Sequence, residues 1–181
     1  TRIRIGLEEE AFQRITASWR RLGYPFERLV PSLATAIGSS ADRPAALAEL
    51  MGIILNDGIR QPTVRVRKLH FAAGTPYEAV LGLGPLEGKR VLKAEVCQTV
   101  RKALMDVAMN GTAKRVWGAF KDGAGQPIPI GGKTGTGDHR LDRYGPGGHL
   151  IESRAVNRTA TFVFYIGDRF FGTMTAFVAG P

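Results

Sequence analysis

A single cysteine, Cys97, stands in 181 residues, which excludes a disulfide framework and a cysteine-based metal cluster. No apolar run approaches the roughly 18 residues needed to cross a bilayer as a helix. No charged-then-apolar leader opens the chain, so an anchor on any parent protein is expected outside this sequence. Acidic residues are scarce beside basic ones, 16 against 25, and leave a net charge of +9. The bases at Arg2, Arg4, Arg20, Arg21, Arg65, Arg67, Lys68, Arg154 and Arg158 are scattered. No aromatic residues interleave with them as a stacking platform requires, so nucleic acid is not expected as a partner. The positive balance fits an anionic surface or polymer instead. Apolar residues at 44% and charged residues at 23% are ordinary for a folded domain, and no internal repeat or low-complexity linker divides the chain.

What the chain does contain is a concentrated run, Ile128-Pro129-Ile130-Gly131-Gly132-Lys133-Thr134-Gly135-Thr136-Gly137. Glycine lets backbone approach a ligand closely. A lysine between glycines has its ammonium and the neighbouring N–H groups available to an anion. A phosphate-cradling loop reads G-x-x-x-x-G-K-[ST], which demands glycine where Pro127 stands, and it needs a helix after the lysine. Residues 137–149 have no helical periodicity, so the helix N-terminus that would hold a phosphate is missing. Anion or nucleotide binding through the glycines remains a separate class, for which calorimetry with a magnesium triphosphate is the test.

Lys133-Thr134-Gly135-Thr136 matches the K-T-G element of serine acyl-transferases that react with penicillin. Before it, in order, stand Pro31-Ser32-Leu33 with Gly38-Ser39-Ser40, then Asn56-Asp57-Gly58, then Asn110-Gly111-Thr112-Ala113. This succession resembles the C-terminal part of the transpeptidase domain of bifunctional, class A penicillin-binding proteins, across nearly all of residues 1–181. The resemblance implies an α+β fold, an antiparallel sheet with flanking helices, as in penicillin-binding proteins and serine β-lactamases. It implies a peptidoglycan D,D-transpeptidase working through a serine acyl-enzyme outside the cytoplasm, in the periplasm, with a parent anchored in the inner membrane. Lys133 and Thr136 would be catalytic, the lysine attracting the substrate's terminal carboxylate and the Thr136 N–H serving as an oxyanion donor. Thr134, Gly135 and Thr136 would bind substrate along the strand edge. The implied partners are a peptidoglycan stem peptide, β-lactam antibiotics and the upstream part of the same domain; no cofactor and no metal are implied.

The rest of the pattern predicts the scaffold. Residues 7–22 read as a helix, with Glu8, Glu9 and Glu10 in its first turn, a stripe of Phe12, Ile15, Trp19 and Leu22, and Gly23 as its stop. Tyr24-Pro25-Phe26 opens a packed-down connection, and Asp42 with Pro44 starts a helix that runs through Leu55. Thr63–Leu69 alternates like a half-exposed strand, and His70–Arg90, with six glycines or prolines, reads as irregular. Lys93–Asn110 is the clearest helix, with Val96, Val100, Ala103, Leu104 and Val107 as its stripe and Cys97 in the core. Residues 112–120 read as a second short helix. Strands at 128–136, 159–166 and 170–178 are expected to form one antiparallel sheet, with 137–153 as a loop bordering the site.

The nucleophile of the resembled family lies in S-x-x-K, and a second serine in S-x-N. None of the five serines, Ser18, Ser32, Ser39, Ser40 and Ser153, has lysine three places on or asparagine two places on. In the family both motifs precede P-S-L, so the chain is expected to be a fragment that is inactive alone. A catalytically silent module that binds wall peptide or protein partners is the alternative. Asp138, His139 and His149 have no third metal ligand at a recognisable spacing. Where the family usually continues with Thr-Asn-Asp, Gly137-Asp138-His139-Arg140 stands instead, which bears on acceptor preference.

Overall fold

In the computed structural model, residues 2–22, 29–37 and 43–180 are described. Three long strands form the central sheet: β5 (Ile130–Tyr144), β6 (Leu150–Ile166) and β7 (Phe170–Ala179), antiparallel in the order β5-β6-β7. Helix α2 (Pro44–Leu55) packs on β6 and β7, and α3 (Ala94–Met109) packs on β5 and against α2. Antiparallel strands with helices on one face make this the expected α+β arrangement. The short pairs β1 (Ile59–Arg60) with β4 (Lys89–Arg90) and β2 (Lys68–Phe71) with β3 (Ala79–Gly82) lie between α2 and α3 in sequence.

The helix-facing side of the sheet follows from its register. Gly131, Tyr165 and Phe171 are aligned across the three strands. A Cβ on Gly52 of α2 would lie 2.7 Å from the Phe171 ring, so the missing side chain lets helix and aromatic meet. Tyr165, 4% exposed, donates its hydroxyl proton to the Arg101 carbonyl of α3 at 3.0 Å. The Arg101 guanidinium lies over the same ring, 5.8 Å from its centroid, and pairs with Asp168 at 2.8 Å. Burial raises the Tyr165 hydroxyl above its ordinary pKa, while Arg101 acts in the opposite sense.

The buried face of α3 keeps Val100, Leu104 and Val107 of the predicted stripe, half-buried, and takes Arg101 and Ala108 in place of Val96 and Ala103. Cys97 and Ala108 are fully buried, whereas Val96 is 47% exposed. Arg101 sits at a sheet-facing position because its stem can lie on the apolar surface while its charged end reaches Asp168. α2 buries Ala46, Met51, Ile53 and Ile54 on more than one side, as suits a helix wedged between the sheet and α3.

Several other expectations are corrected. α1 runs from Arg2 to Arg21, five residues earlier than expected, so Glu8, Glu9 and Glu10 lie past its first turn. Phe12 and Leu22 of its stripe are buried and Ile15 is exposed. Gly23, Tyr24-Pro25-Phe26, Gly38-Ser39-Ser40 and Asp42 lie outside the described residues. The strand expected at Thr63–Leu69 begins at Lys68, and the stretch read as irregular contains the β2–β3 hairpin. The short helix expected within 112–120 shrinks to a 3-10 turn at Lys114–Val116.

The largest correction concerns residues 137–153. Instead of a loop, β5 and β6 continue as a ribbon to a tight turn at 145–149. Cross-strand pairs replace apolar packing as its support: Arg158 with Asp138 at 2.7 Å, Arg143 with Glu152 at 3.8 Å, and Arg140 to Ser153 to Asp142 through hydroxyl bonds of 2.8 and 2.6 Å. His139 faces Asn157 across the ribbon and bonds it through Nδ1. Among the described residues no helix is long and apolar enough to cross a membrane.

Candidate functional site

β5 is an edge strand, paired with β6 on one side and with no strand on the other among the described residues. Which backbone groups face the open side can be worked out from one bond. The Gly167 N–H donates to the Pro129 carbonyl at 2.7 Å, so Pro129 points toward β6. In an antiparallel ladder the inward and outward residues alternate. Gly131, Lys133 and Gly135 therefore direct their N–H and C=O groups to β6, and Gly132, Thr134 and Thr136 direct theirs to the open edge. Two bonds agree with this phase: the Ile128 N–H leaves the sheet for the Phe120 carbonyl at 2.9 Å, and the Thr134 carbonyl accepts from Lys133 Nζ at 2.5 Å.

Side chains alternate in the same way. Lys133 shares the face of Gly131 and Tyr165, the side carrying α3, and its own side chain is exposed. Among the described residues no carboxylate pairs with it, and its ammonium curls back on the edge carbonyl next along the chain. Thr134 and Thr136 project from the other side, Thr134 half-buried and Thr136 exposed. The two glycines before the lysine are there for packing. A Cβ on Gly131 would lie 2.4 Å from the Tyr165 ring, and one on Gly132 would lie 2.5 Å from the Val163 carbonyl oxygen. A Cβ on Gly135 or Gly137 would meet nothing within 4 Å, so among the described residues nothing covers that face of the strand at these two positions.

One contact at this edge carried no expectation from the sequence. Thr112 Oγ1 lies 2.7 Å from Thr134 Oγ1. Thr112 belongs to the Gly111-Thr112-Ala113 run after α3, and no local spacing connects it to a strand 22 residues on. Only the return of the chain from α3 to β5 brings the two hydroxyls together.

The structure thus places Lys133, Thr134, Gly135 and Thr136 consecutively on one open edge. Asp138, His139 and His149 do not converge: Asp138 is held by Arg158, which keeps its carboxyl below the ordinary range, and His139 by Asn157. Among the described residues no group of three metal-ligating side chains exists. Two cavities, of about 290 and 600 Å³, lie away from the edge, the first between α3 and the β6–β7 turn and the second along α1. Among the described residues the edge is a wall with no strand opposite it.

Comparison with known proteins bears on this geometry. Among curated proteins nothing matches the chain. Penicillin-binding protein 3 of Mycobacterium tuberculosis, solved with ampicillin, superposes with a TM-score of 0.56 at 18% identity, covering 93% of this chain and 40% of that one. The D,D-transpeptidase domain of a peptidoglycan glycosyltransferase from Eggerthella lenta gives 0.53 at 19%, covering 93% and 43%. Penicillin-binding protein 2B of Streptococcus pneumoniae gives 0.55 at 16%, covering 95% and 29%. These likenesses establish the fold, and the chain spans less than half the length of each of these structures. The family model described as the penicillin-binding protein transpeptidase domain matches residues 1–149, and on that match the chain belongs to the penicillin-binding protein transpeptidase family.

Proposed function

We propose that residues 1–181 are the C-terminal portion of a peptidoglycan D,D-transpeptidase domain, of the class A, bifunctional type, and supply the K-T-G-T wall of its active site. The observation that carries this reading is the open edge of β5, where outward N–H and C=O groups, two threonine hydroxyls and an ammonium with no carboxylate partner among the described residues follow one another. An extended peptide can add to such an edge as a further strand. Lys133 attracts the terminal carboxylate of a D-alanyl-D-alanine stem peptide or of a β-lactam, and Thr134 and Thr136 donate hydroxyl protons to it. The outward Thr136 N–H is one oxyanion donor. Gly135, with no side chain, leaves room for the acyl chain.

The serine nucleophile, its base and the second oxyanion donor come from polypeptide outside these residues, since S-x-x-K and S-x-N are absent from the sequence. That absence also favours a second reading, a silent module that holds wall peptide without cleaving it. Cell-wall chemistry places the domain outside the cytoplasm, with the parent anchored in the inner membrane.

A fluorescent penicillin separates the two readings. The full-length polypeptide carrying these residues is expected to be labelled covalently, and the 181-residue chain alone is not. A full-length polypeptide that takes up no label, while still binding wall peptide, overturns the enzyme in favour of the silent module.

A further inference from the structure

The run Gly111-Thr112-Ala113 is shaped to present one hydroxyl. Gly111 and Ala113 both donate their N–H groups to the Val107 carbonyl, at 3.1 and 3.2 Å, which folds the chain tightly over the end of α3. A Cβ on Gly111 would lie 3.0 Å from that carbonyl oxygen and 3.1 Å from the Val107 Cα, so glycine suits the first position. Ala113 is buried to 6% exposure, where a small apolar side chain fits. Thr112, between them, is turned outward and meets Thr134 at 2.7 Å.

We infer that Thr112 is a positioning residue for carboxylate recognition: its hydroxyl donates to Thr134, and this directs the Thr134 proton to the anion. The inference rests on the reading of the β5 edge given above. A hydroxyl has one proton and two lone pairs. If Thr134 donated to Thr112, it would turn lone pairs toward an arriving carboxylate. With Thr112 as donor, the Thr134 oxygen is satisfied and its own proton is free. The chain Thr112 to Thr134 to carboxylate then has every hydrogen bond in one sense, and each bond polarises the next. The anion selects this orientation, and Thr112 holds Thr134 in the rotamer that delivers it.

The test compares acylation of the full-length polypeptide by benzylpenicillin and by its methyl ester, as the ratio of second-order rates. Thr112→Val, which keeps the shape and removes the hydroxyl, is expected to lower the rate with the acid about tenfold, the size of one lost hydrogen bond near a charged group. The rate with the ester stays unchanged, and Thr112→Ser keeps the wild-type ratio. Thr134→Val is the control and loses the preference for the acid. Loss of the preference in Thr134→Val but not in Thr112→Val overturns the inference and leaves the edge reading standing. If neither variant changes the ratio, the edge reading falls as well; if wild type is not acylated, the inference falls with the enzyme reading and the silent module takes its place. Equal losses for acid and ester in Thr112→Val also overturn the inference, because they mark a role in folding alone. If Thr112→Val is unfolded by circular dichroism, Thr112→Ala, which only deletes atoms from an exposed side chain, takes its place under the same criteria.

Discussion

Two glycines three residues apart on β5 should respond to the same substitution with opposite signs. A Cβ on Gly132 would lie 2.5 Å from the Val163 carbonyl oxygen and 2.7 to 2.8 Å from the Phe162 ring. The ring can turn, but the carbonyl belongs to the ladder opposite Lys133 and can move only with β6. Bringing that contact to an ordinary separation requires a shift of about 1 Å, and overpacking of this kind costs about 1–3 kcal/mol. Loss of the unfolded chain's extra freedom at glycine offsets about 0.4–1 kcal/mol of it. Gly132→Ala is therefore expected to destabilise by about 1–2 kcal/mol, read as a fall of about 0.5–1 M in the urea midpoint for a slope near 2 kcal/mol per M. A Cβ on Gly135 would meet nothing within 4 Å, and Gly135 has no left-handed backbone angle. Gly135→Ala is then expected to stabilise by about 0.4–1 kcal/mol. Equilibrium urea unfolding of both variants in the full-length polypeptide, followed by tryptophan fluorescence, decides the matter. A Gly132→Ala midpoint at or above wild type would refute the claim that β5 and β6 approach closely before the lysine.

Three further outcomes follow from other contacts. Tyr165→Phe removes the buried hydroxyl and leaves the Arg101 carbonyl with its intrahelical bond alone, so a loss of about 1 kcal/mol is expected on urea unfolding; an unchanged midpoint contradicts the bond. Burial holds the Cys97 thiol above its ordinary pKa and shields it fully, so it should react with a disulfide reagent only as the protein opens; immediate reaction in native buffer contradicts its placement. The hydrogen bond from Arg158 depresses the Asp138 carboxyl, so the ribbon's pairing is fully present above the ordinary aspartate pKa and is lost as pH falls through the depressed value. Arg158→Ala should raise the Asp138 titration midpoint in a carboxyl-detected NMR titration, and an unmoved midpoint contradicts the pair.

Much of the scaffold was legible because its signals are local. Pro44 and the apolar run behind it locate α2, the stripe and Asn110-Gly111 locate α3, and Gly167-Asp168 between β-rich runs locates the β6–β7 hairpin. The stripe of α3 holds at Val100, Leu104 and Val107 but not at Val96 and Ala103, and Arg101 is missing from it because it reads as polar, although its stem lies on the sheet and its charge is met by Asp168. Residues 137–153 read as loop because the ribbon is held by pairs such as Asp138 with Arg158, whose members are 20 residues apart. Three polar or charged residues in a row, Asp138-His139-Arg140, carry no strand periodicity until their partners are known. Lys133 through Thr136 stood out because glycine-lysine-threonine runs have few uses. Thr112 stood out only within Asn110-Gly111-Thr112-Ala113, and its contact with Thr134 did not, since that depends on how the chain returns to β5.

The central claim is that Lys133 on the open edge grips the anionic end of an acyl donor. Its most direct measurement is the second-order rate of labelling of the full-length polypeptide by a fluorescent penicillin, wild type against Lys133→Ala, with folding checked by circular dichroism. Loss of a charge-assisted hydrogen bond of about 1.5–3 kcal/mol predicts a rate at least tenfold lower. A folded Lys133→Ala variant labelled as fast as wild type would contradict the account.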